Sequence, residues 1–181
     1  MGTMKLEGPA TIETLRRMPK DGRKYELVDG EIVVSPAGMR HSAVGLKIAA
    51  ALLEFVQKYE LGEVYQANVG IILPNGNVRS PDASFVSRAK LPNGQSPEGY
   101  GALVPDLVVE VLSPNDSLKF VGEKIGEYFE NGVPLVWLVD PSLKIVTVYR
   151  SLLEAQQLTS TDTITAEPIL PGFSYPVARF F

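Results

Sequence analysis

The sequence holds no cysteine, a single histidine (His41) and a single tryptophan (Trp137) among its 181 residues. Without cysteine there is no disulfide, no thiolate nucleophile and no Cys-ligated zinc. One histidine rules out a multi-His zinc site. A Ser-His-Asp triad would have to use His41, and no GxSxG elbow is present to supply its serine. Neither a Walker A loop nor a GxGxxG following a strand occurs. No apolar run is long enough to span a bilayer, and no N-terminal stretch has the pattern of a secretory signal. The expectation is a soluble cytoplasmic protein with no membrane partner. An excess of positive charge is missing as well: 17 Lys+Arg against 21 Asp+Glu give a net charge of −4, so no global field draws nucleic acid. A local basic groove stays open to such a chain. Its densest basic cluster is Arg16, Arg17, Lys20, Arg23 and Lys24, which reads either as a phosphate contact or as a solvated helix face and turn.

What is present is a normal globular balance, 45% hydrophobic and 21% charged, in a length that suits one domain over residues 1–181 with a real core. Residues 11–18 predict a short helix ended by Pro19 and Asp21-Gly22. In "KYELVDGEIVV" the Asp29-Gly30 pair between alternating runs predicts a tight hairpin. Pairing across that turn sets Tyr25, Leu27, Ile32 and Val34 on one face and Glu26, Val28, Glu31 and Val33 on the other. Ser35, Pro36 and Gly38 interrupt the chain. A helix of about five turns follows from His41, with Val44, Ile48, Ala51, Leu52 and Phe55 as its buried stripe. Residues 63–73 and "VRSPDASFV" read as two strands around the turn "PNGN", and residues 88–104 as a long Pro/Gly-bearing loop, a functional flap or a mobile segment. "PDLVVEVLSP" is the third strand. "SPND" caps a helix over about 117–131 whose core face is Leu118, Val121, Ile125 and Phe129. "PLVWLVD" and "KIVTVYR" are two more strands, and the tail from 151 is less periodic. The fold class is α/β with a mixed sheet flanked by helices and an added N-terminal β-hairpin.

One residue is out of place in this scheme. Glu110 interrupts an apolar strand, where an unpaired carboxylate costs several kcal/mol. Asp82 lies near the start of the preceding strand. If the two strands pair antiparallel, the start of one adjoins the end of the next, and Asp82 becomes a neighbour of Glu110. Asp106 falls at the far end, roughly 13 Å away at about 3.3 Å per residue, and reads as structural. Two carboxylates so placed suit a hard cation. Mg²⁺ takes oxygen ligands, keeps several waters and needs only one or two protein carboxylates; Mn²⁺ is an alternative, and the Val111 carbonyl could add an oxygen. On the following helix Lys124 lies about 90° from the centre of the core face, beside Tyr128 at i+4, and is the lysine best able to bend back over the end of the strand.

Asp82, a loop, and Glu110-Val111-Leu112 resemble the PD…(D/E)xK signature of metal-dependent nucleases. The wider set "YELVDGEIV.SP…H", "RSPD", "PDLVVEVLSP", "GEKIGEYFENGV", "WLVDP" and a late "LPGF" is similar to the Uma-two family of restriction endonucleases, from Tyr25 to about Tyr149. That resemblance implies a restriction-endonuclease-like fold, DNA as partner and hydrolysis of its phosphodiester bonds. It also implies a lysine moved from position 112, which is Leu112 here, onto the next helix, which points to Lys124. Asp82, Glu110 and the Val111 carbonyl would hold Mg²⁺, and Lys124 would orient the water or stabilise the transition state. His41, Tyr128 and one of Glu26 and Glu31, with Glu31 favoured, are candidate supports. Cutting both strands of a duplex favours a homodimer.

Each residue also has a plainer reading. Asp82 and Glu110 could form a buried ion pair or a strand-end cap, Lys124 could cover apolar surface, and His41 could be a helix cap. Two other functions stay open: a catalytically silent nucleic-acid- or protein-binding domain on the same fold, and a sugar hydrolase with two carboxyls about 5 to 9.5 Å apart. Trp137, lying in an apolar strand, gives the latter little support.

Overall fold

A computed structural model describes residues 2–4 (backbone alone), 8–35, 38–67, 69–114 and 116–181; Pro36 and Asn115, expected in a chain break and a helix cap, lie outside the described residues. In chain order the elements are β1 (Gly2–Met4), α1 (Ile12–Arg16), β2 (Lys24–Val28), β3 (Glu31–Ser35), α2 (Met39–Lys58), β4 (Gly62–Gln66), β5 (Ile71–Ile72), β6 (Val78–Arg79) and β7 (Ala83–Ser87). There follow β8 (Leu107–Val111), α3 (Leu118–Glu130), β9 (Val136–Asp140), β10 (Ile145–Tyr149), β11 (Ala155–Leu158), β12 (Thr163–Ala166) and β13 (Leu170–Pro176).

The strands form a central six-stranded sheet in the order β11-β10-β9-β8-β7-β4, a five-stranded sheet in the order β1-β3-β2-β6-β5, and the β12-β13 pair. The central sheet is mixed because α3 carries the chain from β8 to a parallel β9, while β7 and β8 pair antiparallel. Val109 and Val111 of β8 pack with α2 residues Val44, Ile48 and Leu52. Val108 turns to the opposite side and packs with Ile125 and Tyr128 of α3. A strand alternates its faces, so Glu110 falls on the α3 side with Val108. The parallel centre is thus covered by a helix on each face, which is why β8 is buried throughout its length.

The second sheet starts from the hairpin that Asp29-Gly30 specifies. Both residues have positive φ, 50° and 78°, as the two-residue turn demands. Tyr25 pairs with Val34 and Leu27 with Ile32, so one face supplies Leu27 and Ile32 to a small core with Ala10, Leu15 and Val78. The hairpin is no separate appendage, because β1 pairs with β3 and β6 with β2.

Local departures from the sequence reading have physical causes. The two predicted strands at 63–73 and 78–86 each split, at about 67–70 and at Ser80-Pro81, and the chain passes between the two sheets at both breaks. Pro81 has no N–H for a ladder. Ser117, rather than a residue of 113–116, caps α3 by accepting from the Phe120 N–H. The 151–181 tail, read as less periodic, forms β11, β12 and β13. In α3 the buried face is Lys124, Ile125, Glu127 and Tyr128, while Leu118 is 85% exposed. Of the predicted stripe, Ile125 is buried and Val121 and Phe129 pack partly buried against the same cluster, so the contact is centred a little to one side of it.

Leu52, fully buried between α2 and the central sheet, tests this packing. Leu52→Ala is expected to lower stability by about 2–5 kcal/mol in urea unfolding, without changing the far-ultraviolet circular dichroism of the folded state.

Candidate active site

Four elements converge at the C-terminal end of β8. The Asp82 N–H donates to the Val109 carbonyl at 3.0 Å, which fixes the β7 entry beside Glu110. The Val111 N–H then donates to Asp82 Oδ2 at 2.8 Å. The Asp82 carboxylate is also 2.9 Å from Lys24 Nζ through Oδ1 and 3.1 Å from His41 Nε2 through Oδ2. His41 lies in the first turn of α2. One turn on, Gly45 faces Asp82, where an added Cβ would stand 3.6 Å from the aspartate Cβ.

Glu110 accepts a hydrogen bond from the Tyr128 hydroxyl at 2.6 Å, and the same oxygen is 2.8 Å from Lys124 Nζ. Lys124 Nζ also stands 3.1 Å from Glu26 Oε1. It approaches both carboxylates away from the hydrogen-bond direction, so the attraction is that of close charges. The i, i+4 spacing on α3 sets the lysine and the tyrosine side by side on one oxygen.

Glu26, on β2, has a side chain with no exposure. Its oxygens accept from the Ser80 N–H at 2.7 Å and from Arg79 at 3.4 Å. Arg79 is shared with Glu127 of α3, to which its Nε donates at 2.6 Å. Glu127 Oε1 in turn accepts from Asn75 and Asn77 in the β5-β6 turn, at 2.9 and 2.6 Å. One carboxylate thereby ties that turn to α3.

The resulting charges govern protonation. Burial would raise the Glu26 carboxyl, but the charges of Lys124, Lys24 and Arg79 and the Ser80 amide outweigh it and hold the group at about 2. Burial acts the same way on Asp82, and Lys24 and His41 together pull it well below the usual carboxylate range. Burial lowers the affinity of His41 for a proton; its hydrogen bond to Asp82 and that residue's charge reverse this and leave its pKa raised. Burial, with the charges of Glu110 and Glu26, pushes the Tyr128 phenol well above its ordinary value, so it serves as a neutral donor.

Among the residues singled out from sequence, Asp82, Glu110, Val111, Lys124, Tyr128 and His41 meet here. Glu31 does not: it is the exposed first residue of β3, paired with Val28 at the turn, while Glu26 carries the same hairpin face into the cluster. For Val111 the contact seen is its N–H on Asp82, not its carbonyl. Asp106 lies at the other end of β8, accepting from the Ser87 N–H at 2.8 Å and pairing with Lys90. Lys24, Arg79 and Glu127 were missed. For Lys24 a signal existed, since it stands two residues before Glu26 and so shares its face of β2. Arg79 and Glu127 lie in a turn-rich stretch and on a helix flank with no such mark.

A family model described as "Putative restriction endonuclease", Uma2, matches residues 12–178. The chain belongs to the Uma2 family. Its fold is shared with the crystal structure of "a putative nuclease belonging to DUF820" from Anabaena variabilis ATCC 29413, at TM-score 0.80 and 21% identity, over 96% of this chain and 98% of that one. No curated protein matches it significantly. The fold is therefore the restriction-endonuclease-like mixed sheet that the motifs imply, and nuclease is the function class that family membership supports. Among the described residues, no helix is long and apolar enough to cross a membrane.

The depressed pKa of Glu26 fixes a pH dependence. A carboxyl lowered on folding adds stability above its unfolded value near 4.5 and loses it as pH falls through its folded value. Glu26→Gln is expected to cost about 3–5 kcal/mol at pH 7, because Lys124 and Arg79 lose a buried counterion. The gap to wild type should narrow between pH 4.5 and about 2, where wild-type Glu26 also loses its charge. Urea unfolding across that range measures it; a gap independent of pH would contradict the assigned ion pairs.

Proposed function

We propose that this chain is a metal-dependent DNA endonuclease that hydrolyses phosphodiester bonds with Asp82, Glu110 and Lys124. The observation that carries the reading is the meeting of two carboxylates from adjacent strands with a buried lysine 2.8 Å from one of them. Such a set would supply the donors of a PD…(D/E)xK-type site with its lysine carried by α3.

The residues fit a hard divalent cation. Their donors are carboxylate oxygens, and Glu110, Val111, Asp116 and Lys124 border a cleft of about 20 Å³, of the size of a water or a small ion, which Asp82 does not itself line. Among the described residues no three or more acidic or histidine side chains group as a full ligand cage. Water and a substrate phosphate would have to complete the coordination, which is how Mg²⁺ is bound in phosphoryl-transfer enzymes. Asp82 and Glu110 would hold Mg²⁺ or Mn²⁺, with the Val111 carbonyl as a further oxygen. When bound, such an ion lowers the pKa of water and offsets charge growing on the phosphate.

The chain's own residues have distinct tasks. Tyr128 fixes the Glu110 carboxylate by its hydrogen bond. Lys124 keeps a positive charge at the edge of the cleft, where a phosphate would gain negative charge in the transition state. His41 holds the second oxygen of Asp82. DNA is the proposed substrate, and two copies acting on opposite strands would give a symmetric dimer. A catalytically silent DNA-binding domain is the rival reading, favoured by the extent to which Lys24, His41 and the Val111 N–H already occupy Asp82.

Plasmid cleavage separates the two. The wild type should nick or linearise supercoiled DNA with Mg²⁺ or Mn²⁺ and stop when EDTA removes the ion. Asp82→Asn and Glu110→Gln should each lower the rate at least about 100-fold while retaining gel-shift binding to DNA. Binding by all three proteins with no cleavage by the wild type would identify the silent domain.

A further inference from the structure

Nothing in the metal reading accounts for Lys24. Its ammonium is buried, and it occupies the carboxylate that the proposed ion would need. Two features set it apart from the other cations of the cluster. Lys124 touches both Glu110 and Glu26, and Arg79 touches both Glu26 and Glu127. Lys24 makes one close ion pair, with Asp82. Its side chain is also the most exposed of the three, at 10% against 5% and 4%. It opens β2, two residues after the bend at Asp21-Gly22.

Charge counting gives this position a purpose. Glu26, Asp82, Glu110 and Glu127 are four carboxylates facing the three cations Lys24, Arg79 and Lys124, one net negative charge before His41 is counted; a protonated His41 beside Asp82 brings the cluster to zero. A divalent cation entering with all three cations in place would leave it at least one positive, in surroundings where uncompensated charge is costly. The departure of one ammonium as the ion arrives lowers that excess by one. Lys24 is the one paired with the carboxylate the ion needs, and the most exposed of the three.

We propose that Lys24 is a stored counterion: its ammonium keeps Asp82 in place before metal arrives and gives up the carboxylate to the divalent cation, so that Lys24 sets the affinity of the site. The inference rests on the metal reading of the preceding subsection. Lys24 acts through Asp82 and is a positioning residue.

Calorimetric titration with MnCl₂ tests it, with wild type, Lys24→Met and Lys24→Gln compared in the presence and absence of a non-cleavable phosphorothioate duplex. Removing the competing ammonium should tighten Mn²⁺ binding about tenfold or more, since an ion pair of about 1.4 kcal/mol is a factor of ten in affinity. Mn²⁺ affinity that is equal or weaker in both variants overturns the inference and leaves the metal reading standing. No Mn²⁺ binding by any form, with or without the duplex, overturns the metal reading and the inference with it. A measurement on the wild type serves if the variants do not fold. In ¹⁵N-lysine NMR with diamagnetic Mg²⁺, the slowly exchanging Lys24 ammonium signal should shift to that of a solvent-exposed lysine on saturation. A Lys24 signal unmoved at saturating Mg²⁺ contradicts the proposal.

Discussion

The burial of carboxylate charge is the constraint on which the rest of this structure depends. Glu26, Asp82 and Glu110 lie at three places in the chain, on β2, before β7 and within β8, and each is withdrawn almost wholly from water. A buried carboxylate stays ionised only where cations and N–H groups compensate it. The molecule provides these from every element that adjoins the site: Lys24 from the hairpin, His41 from α2, Arg79 and the Ser80 amide from the crossing strand, Lys124 and Tyr128 from α3. The two sheets and both long helices are therefore joined at this point by charge as well as by apolar packing. A network of this kind adds little to stability compared with an apolar core of equal volume, while the loss of one member is costly. Its presence at the end of β8 is explained better by chemistry than by folding.

This constraint also accounts for the shape of α3. The apolar stripe of that helix, Val121, Ile125 and Phe129, packs on the core, but the most deeply buried flank also carries polar side chains. Lys124, Glu127 and Tyr128 turn inward because Glu110, Arg79 and the β5-β6 turn await them, and Leu118 is left in solvent. Where a polar cluster supplies part of the contact, hydrophobic periodicity marks only part of the inside of a helix.

The same reason divides what could be read in the sequence from what could not. The Asp29-Gly30 turn, the stripe of α2 and the run of β8 are local signals, and each element formed where its pattern indicated. The neighbouring positions of Asp82 and Glu110 followed from antiparallel pairing alone, and Lys124 from helical geometry. Residues whose role depends on the second sheet were harder. The hairpin face bearing Glu26 and Glu31 offers either carboxylate to the site by alternation alone, with Glu31 favoured; the face closes over the site at Glu26. That closure buries Glu26 and Lys24 and leaves Glu31, at the turn, outside. Arg79 and Glu127 are 48 residues apart and meet only through the crossing of the chain between sheets, for which no local pattern exists.

The central proposal, resting on Uma2 family membership and the convergence of Asp82, Glu110 and Lys124, is that the end of β8 receives a divalent cation. Anomalous diffraction from crystals soaked in MnCl₂ examines it most directly. The account predicts a single strong manganese peak within ligand distance of carboxylate oxygens of both Asp82 and Glu110, with the Lys24 ammonium moved off Asp82. A full-occupancy ion bound elsewhere, with Lys24 still paired to Asp82 and no peak beside Glu110, would contradict it.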